Sequence, residues 1–244
     1  LPFTVDMILR ARESFLDFST ILGLALGTAI VLAFCCLMRI SEYTKSGANH
    51  FLLTDNVIFV VVPPGQDKET FVRSSEIYKH ELHTLKEVVI TVRSAKNDFA
   101  GEGHRFCFSK QEVDKVDGAA FDLVSVLYEW SRRARPAAGD MFLSSRAHNF
   151  ELTPDPINNM LKKVAVSFGF KKKGFSSHSL RIAGASALAN AGVPDYIIQK
   201  TGRWKSLTFL QYIRLAHNAI SIMSKVSTLT SDDVKKKLSS FIMT

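Results

Sequence analysis

The run "ILGLALGTAIVLAFCCLM" (21–38) contains no charged side chain in eighteen residues and decides between two kinds of protein. An uncharged run of this length is a candidate transmembrane helix. However, Thr28, two cysteines and two glycines lower its hydropathy, and Arg39 follows immediately. We therefore expect a helix over 19–43 that is apolar on nearly every side and lies buried at the centre of a globular domain. A membrane span is the alternative at this point.

The composition is typical of an ordinary globular protein. Of the 244 residues, 46% are hydrophobic and 22% are charged, which argues against a disordered chain. The length is enough for one large domain or two small ones. The three cysteines, two of them adjacent, give neither a disulfide framework nor a metal-binding spacing, so a reducing compartment is favoured.

The positive charge of the chain is concentrated in one segment. Residues 162–214 contain ten Lys or Arg side chains and a single acid, Asp195, so this segment carries a formal charge of +9. The whole chain carries +8, which leaves −1 for all other residues. A long basic segment with interleaved aromatic residues favours a polyanion as partner.

The hydrophobic periodicity predicts a mostly helical chain with a small sheet in its first half. Strands are expected at 56–62, 87–94 and 104–109, the last two as a hairpin around a polar, glycine-containing loop. Helices are expected at 4–17, 19–43, 115–134, 154–168, 178–191, 195–201, 206–214 and 217–242.

Two clusters of polar residues lie at the ends of these predicted elements. In "LMRISEY" (37–43), Arg39 and Glu42 stand three residues apart at the end of the apolar helix, where a charge is costly without a partner or a task. Lys96 lies in the loop of the predicted hairpin. The ordinary explanations would be a structural ion pair for Arg39 and Glu42, and a solvent-exposed side chain for Lys96.

A third cluster lies in the basic segment. In "SSHSLRIAG" (176–184), His178 and Arg181 stand three residues apart, so a helix would present both on one face. A pair of such donors suits an anion, and phosphate above others. The cluster continues through "TGRWKSLTFLQYIR" (201–214) to Tyr212. Solvated helix surface is again the ordinary alternative.

Together these residues resemble the tyrosine recombinase (phage integrase) family. "LMRISEY" resembles the first arginine box of that family, "HSLR" its second box and "QYIR" its nucleophile segment. Trp204 follows Arg181 by 23 residues, which matches the interval in the family from the second arginine to the position that holds His or Trp. Lys96 falls on a predicted hairpin, where the family carries its catalytic lysine. The resemblance covers essentially the whole chain. It also removes the membrane alternative, because the helix before the first box is a core helix in this fold.

The resemblance implies an α+β fold, mostly α-helical, with a small antiparallel sheet in the first half. It implies attack of a tyrosine hydroxyl on a DNA phosphodiester, which gives a 3′-phosphotyrosine and a free 5′-hydroxyl without cofactor or metal. Double-stranded DNA and a homo-oligomer on DNA, a dimer or a tetramer, are the implied partners. The implied catalytic residues are Arg39, Lys96, His178, Arg181, Trp204 and Tyr212, with Glu42 supporting them. DNA contacts are expected from Lys171, Lys172, Lys173, Arg203 and Lys205.

The implied roles follow from the chemistry of each side chain. The two arginines of the boxes would stabilise charge on the non-bridging phosphate oxygens, and Trp204 would donate its indole N–H. His178 would exchange a proton or bond the phosphate. Lys96 would protonate the departing 5′ oxygen, with Lys68 as the reserve candidate. Glu42 would orient Arg39 or His178.

The chain departs from the family pattern in two respects. The interval from Trp204 to Tyr212 is eight residues, one shorter than is usual in bacteria and phages, which is similar to eukaryotic mobile-element recombinases of the DIRS and Crypton type. Such an origin implies a nuclear location, and any other a cytoplasmic one. The family's N-terminal DNA-clamping domain is missing from residues 1–244, so we expect the chain to be a fragment.

Residues 1–244 are accordingly interpreted as a single catalytic domain. Residues 217–244 are expected to form a helical tail that is exchanged between protomers. Two alternative functions stay open at the level of sequence. One is a type IB topoisomerase, which shares the chemistry, and the other is a domesticated DNA-binding module that has lost catalysis.

Overall fold

The computed structural model describes residues 3–46, 51–93, 103–110, 122–206, 209–210 and 213. Within these ranges the chain is mostly helical, with a small antiparallel sheet in its first half, as the sequence predicts. The helices are α1 (Val5–Ser14), α2 (Ile21–Cys35), α3 (Leu123–Ala134), α4 (Pro154–Ser167), α5 (Ser177–Asn190) and α6 (Asp195–Thr201). The strands are β1 (Val57–Val61), β2 (Thr70–Arg73), β3 (Leu85–Val92), β4 (His104–Ser109), β5 (Ser144–Ser145) and β6 (Phe150–Glu151).

Helix α2 is the centre of the hydrophobic core. The hydroxyl of Thr20 caps its N-terminus by accepting a hydrogen bond from the Gly23 N–H at 3.0 Å. From Gly23 to Ala33 every residue is buried, and helices α3, α4 and α5 all pack against α2. The prediction of a central core helix is confirmed. Within the described ranges, no helix combines the length and the apolarity that crossing a membrane would require.

The prediction that this helix continues to residue 43 is wrong. The α-helix ends at Cys35, and Leu37 adopts a left-handed backbone conformation with φ 48°. This turn places the Leu37 side chain in a second buried cluster with Ala185 and Ile198, apart from the main core. Because the helix stops early, Arg39 is presented on a turn and not on a helical face.

The sheet has four antiparallel strands in the order β2-β1-β3-β4. Strands β1, β3 and β4 correspond to the three predicted strands. Strand β2 was not predicted because "TFVR" (70–73) is short and largely exposed, and the two-residue strands β5 and β6 are too short to give a period. The hairpin of β3 and β4 is confirmed by the pairing of Val92 with His104.

The remaining predicted helices match the structure within a few residues where the chain is described. Helix α3 begins at Leu123, and the earlier part of its predicted range lies outside the described residues. Most of the predicted helix 206–214 and all of 217–242 also lie outside them, so the predicted tail 217–244 is not described either.

Helices α2 and α5 approach each other unusually closely at Gly184. A Cβ atom on Gly184 would lie 2.2 Å from the carbonyl oxygen of Phe34 and 2.5 Å from Cδ2 of Leu37. Small residues in this part of α5 therefore allow the helix that carries His178 and Arg181 to contact the end of α2 directly. This contact brings the first and second arginine boxes together.

Replacing Gly184 by alanine should destabilise the protein although alanine favours a helix by about 1 kcal/mol over glycine. The added methyl meets a backbone carbonyl that cannot move aside, and such overpacking costs about 1–3 kcal/mol. Gly27→Ala is the matched control, because its methyl would meet the movable ring of Phe18. Urea unfolding should show a larger loss for Gly184→Ala. Equal or greater stability of that variant would contradict the close approach.

Candidate active site

The first component of the site is the turn that follows α2. Arg39 precedes a 3₁₀ turn, Ile40–Glu42, and both oxygens of the Glu42 carboxylate return to it. Oε2 of Glu42 accepts from the Arg39 backbone N–H at 2.7 Å, and Oε1 accepts from Nη1 of Arg39 at 2.9 Å. The Glu42 side chain is 7% exposed and that of Arg39 39% exposed. Glu42 thus contacts Arg39, while part of the Arg39 guanidinium faces solvent.

The second component is the start of α5. Ser176 and Ser179 form a capping box, in which the Ser176 N–H donates to the Ser179 hydroxyl at 3.2 Å. The Ser177 N–H donates to Oδ1 of Asn158 on α4 at 2.9 Å, which fixes the helix start to its neighbour. From this first turn, His178 reaches the surface, whereas Arg181 is buried at 2% exposure.

The third component is the segment after α6, which supports Arg181. The Arg181 guanidinium donates through Nη2 to the carbonyl oxygen of Gly202 and lies 4.5 Å from the centre of the Trp204 ring. The ring of Trp204 also stacks on that of Phe209, at 5.4 Å between ring centroids. A Cβ on Gly202 would lie 1.6 Å from the Trp204 ring, so a larger residue there would displace the ring. Trp204 therefore holds Arg181 by a cation–π contact with its face.

A small hydrophobic cluster joins these three components. Leu37 from the turn, Ala185 from α5, Ile198 from α6 and Phe209 are buried together, and Trp204 packs against them. Burial of this cluster fixes the distances between the two arginine boxes and the segment after α6 that carries Trp204. These three components are consequently held together by packed side chains.

Arg39 and Arg181, the two box arginines, place positive charge near His178. Partial burial lowers the pKa of His178 below its ordinary value, and the positive charges of Arg181 and Arg39 lower it further. His104, at the start of β4, behaves alike: burial lowers its pKa, and Arg203 and Lys200 add to the effect. The region thus suits an anionic ligand, and the start of β4 lies beside it.

Arg203 occupies a different position from the surface contact that the sequence suggested. Its side chain is 8% exposed, and Nη2 donates to Oε2 of Glu42 at 2.6 Å. Sequence reasoning missed this ion pair because nothing local marks one arginine of a basic segment as buried. By contrast, the other expected DNA contacts, Lys171, Lys172, Lys173 and Lys205, are exposed.

Lys96 and Tyr212 lie outside the described residues, but the strands that flank Lys96 are described. The loop of the hairpin leaves β3 after Val92 and enters β4 at His104. The positive charge of Arg203 contributes to lowering the pKa of His104. The ring of Phe106 lies 5.8 Å from the Arg203 guanidinium. The loop that contains Lys96 therefore starts and ends at the site side of the sheet.

The reserve candidate Lys68 lies at the opposite end of the sheet. Lys68 is exposed in the connection between β1 and β2, which begins after Val61. Val61 pairs with Leu85, the first residue of β3, so this connection lies at the end of the sheet where β3 begins. The Lys96 loop begins instead after Val92 at the last residue of β3. Eight strand residues separate these ends by about 25 Å.

This fold has been seen in DNA recombinases. The crystal structure of the XerH site-specific recombinase in a post-cleavage complex with a palindromic difH substrate matches with a TM-score of 0.56 at 14% identity. That match covers 93% of this chain and 53% of the XerH chain, so the present chain spans about half the length of XerH. The XerA recombinase matches with a TM-score of 0.54 at 14% identity, over 94% of this chain and 66% of XerA.

The sequence itself gives the family. The phage integrase family matches residues 10–219, and the chain therefore belongs to this family, that of the tyrosine recombinases. The resemblance seen in the arginine boxes is confirmed at the level of family and fold. No curated protein matches the sequence significantly.

Protonation of His178 and His104 should reduce stability as the pH falls. Because the folded-state pKa of each is lowered, the folded protein binds these protons less readily than the unfolded chain. The free energy of unfolding should then decrease as the pH drops below about 6.5, the unperturbed histidine pKa. Urea unfolding between pH 7.5 and 5.5 should show a smaller decrease for His178→Asn and His104→Asn, and the smallest for the double variant. An unchanged slope in the double variant would disprove this assignment.

Proposed function

We propose that this chain is the catalytic domain of a site-specific DNA recombinase that cuts and rejoins strands through a 3′-phosphotyrosine at Tyr212. The observation that carries the proposal is the convergence of Arg39 and Arg181 on His178, whose pKa both arginines lower. One buried cluster, with Leu37 and Ala185 among its members, packs together the segments that carry the two arginines. Membership in the tyrosine recombinase family supports it. The post-cleavage DNA complex of XerH supports DNA as the substrate class.

The chemistry follows from the charges of these residues. Attack of the Tyr212 hydroxyl on phosphorus, with its proton passing to His178, increases negative charge on the non-bridging oxygens. Fixed guanidinium groups stabilise that charge. Arg181 is held in place by Gly202 and Trp204, and Arg39 by Glu42, so little reorganisation is needed. Two arginines provide the positive charge that metal ions provide in many phosphoryl-transfer sites, so the proposed reaction requires no divalent metal.

Lys96 is the proposed general acid. Its loop connects the ends of β3 and β4 beside Arg203, whereas Lys68 lies at the far end of the sheet. Protonation by Lys96 of the 5′ oxygen, as its bond to phosphorus breaks, would release a neutral hydroxyl. The covalent phosphotyrosine retains the energy of the broken bond, so rejoining needs no nucleotide cofactor.

DNA binding is proposed for the basic surface next to α5. The exposed residues Lys171, Lys172 and Lys173 lie in the connection from α4 to α5, shortly before His178, and Lys205 follows the tryptophan turn. Neutralising phosphates with such residues releases counterions and strengthens binding at low salt. A homo-oligomer on DNA, with the tail 217–244 exchanged between protomers, completes the proposal. The eight-residue interval before Tyr212 supports a eukaryotic mobile-element origin, for which the site of action is the nucleus.

A suicide DNA substrate with a nick near the cleavage site tests the function. The protein should form a covalent adduct at a 3′ phosphate, which denaturing gels and mass spectrometry of Tyr212 would detect. Tyr212→Phe should form none while binding DNA as well as the wild type. Tyr196→Phe, which alters a 68% exposed tyrosine on α6, is the control and should form adduct normally. DNA binding without any adduct would favour a non-catalytic binding module. Relaxation of supercoiled plasmids of any sequence would favour a topoisomerase.

A sulfur-bridged substrate tests the role of Lys96. Lys96→Ala should cleave ordinary DNA about 10²–10⁴-fold more slowly, because the leaving oxygen then lacks its proton donor. Sulfur at the bridging position hardly needs a proton, so cleavage of that substrate should be largely restored. Lys68→Ala should match the wild type on both substrates, and Arg181→Ala should be slow on both. Equal defects of Lys96→Ala on the two substrates would exclude it as the acid.

A further inference from the structure

Arg203 is bonded to the segment that carries Arg39. Besides its ion pair with Glu42, its Nη1 donates to the carbonyl oxygen of Cys36 at 3.2 Å, and its Nη2 lies 3.5 Å from that of Leu37. These carbonyls lie at the C-terminal end of α2, where backbone acceptors lose their helical partners and the helix dipole is negative. A guanidinium fork is well suited to cap them.

A buried charge in this place has a cost that its partners must offset. Burial disfavours the charged form and lowers the pKa of Arg203, and the nearby positive charge of Arg39 acts in the same direction. Glu42 opposes both effects. The arrangement is therefore maintained by the carboxylate and the carbonyl oxygens, and not by exposure to solvent or to DNA.

The charges of the cluster add up in a way that matters for Arg39. Glu42 accepts from both Arg39 and Arg203, so one carboxylate serves two guanidinium groups and the cluster has a net charge of +1. With Glu42 alone, the charge of Arg39 would be neutralised. With Arg203 present, Glu42 can orient Arg39 while the cluster still attracts an anion at the exposed part of Arg39.

From this geometry we infer that Arg203 is a positioning residue of the proposed reaction. It compensates the charge of Glu42 and fixes residues 36–42, so that Arg39 is both oriented and electrostatically effective toward the phosphate. The inference rests on the proposed recombinase function, and it assigns Arg203 a task other than contacting DNA.

The test compares Arg203→Gln, Arg203→Lys and the control Arg132→Gln, which removes an exposed ion pair with Glu129 on α3. Arg203→Gln should slow single-turnover cleavage of the suicide substrate about 10–100-fold, less than direct loss of a transition-state donor, with unchanged DNA affinity. Arg203→Lys retains the charge but loses the bonds to the carbonyls, and should be only a few-fold slow. Arg132→Gln should match the wild type.

Hydrogen exchange of the amides in residues 36–43 provides a readout that does not depend on cleavage. Exchange there should accelerate in both Arg203 variants and not in Arg132→Gln, because the bonds that fix this segment are lost. If the wild-type protein formed no adduct, the proposed function would fail, but exchange would still decide whether Arg203 positions the segment. If Arg203→Gln did not fold, the lysine variant would decide alone.

Three results would overturn the inference. One is a parallel loss of DNA affinity and cleavage in Arg203→Gln with unchanged exchange of residues 36–43, which would make Arg203 a DNA contact. Another is wild-type exchange and wild-type cleavage in the Arg203 variants. A cleavage defect of the Arg203→Gln, Glu42→Gln double variant equal to the product of the single defects would also contradict it, since residues of one network are not additive.

Discussion

The burial of α2 on every side is the constraint on which the other parts of the structure depend. A helix without a polar face cannot lie on a surface, so helices α3, α4 and α5 must enclose it. At one of these contacts, at Gly184, the backbone of Phe34 fills the place of a side chain. The end of α2 is thereby fixed against the helix that carries His178 and Arg181.

A helix end in the interior has to satisfy its carbonyl groups, and here the solution also builds the site. Arg203 caps the end of α2, Glu42 balances Arg203, and Glu42 in turn holds Arg39. Removing one member of such a buried network leaves an uncompensated charge, which costs about 3–5 kcal/mol. The same contacts thus stabilise the fold and orient a residue proposed to bind the phosphate.

The two box arginines are supported by different physical means. Arg39 is held by a carboxylate and keeps an exposed edge, whereas Arg181 is buried against the face of Trp204 and the carbonyl oxygen of Gly202. An aromatic face orients a guanidinium without neutralising its charge. Trp204 therefore suits a position next to Arg181, where a second carboxylate would cancel the field that His178 experiences.

The sequence by itself determined the family, the core helix and the hairpin of β3 and β4, because these follow from periodicity and from short motifs with fixed spacing. It did not determine where α2 ends or what Arg203 does. The left-handed turn at Leu37 places that side chain in a cluster with Ala185 and Ile198, and the pair of Arg203 with Glu42 joins residues 161 positions apart. Only the tertiary structure decided them, because the burial of a charge depends on which distant groups surround it, and no local pattern records that.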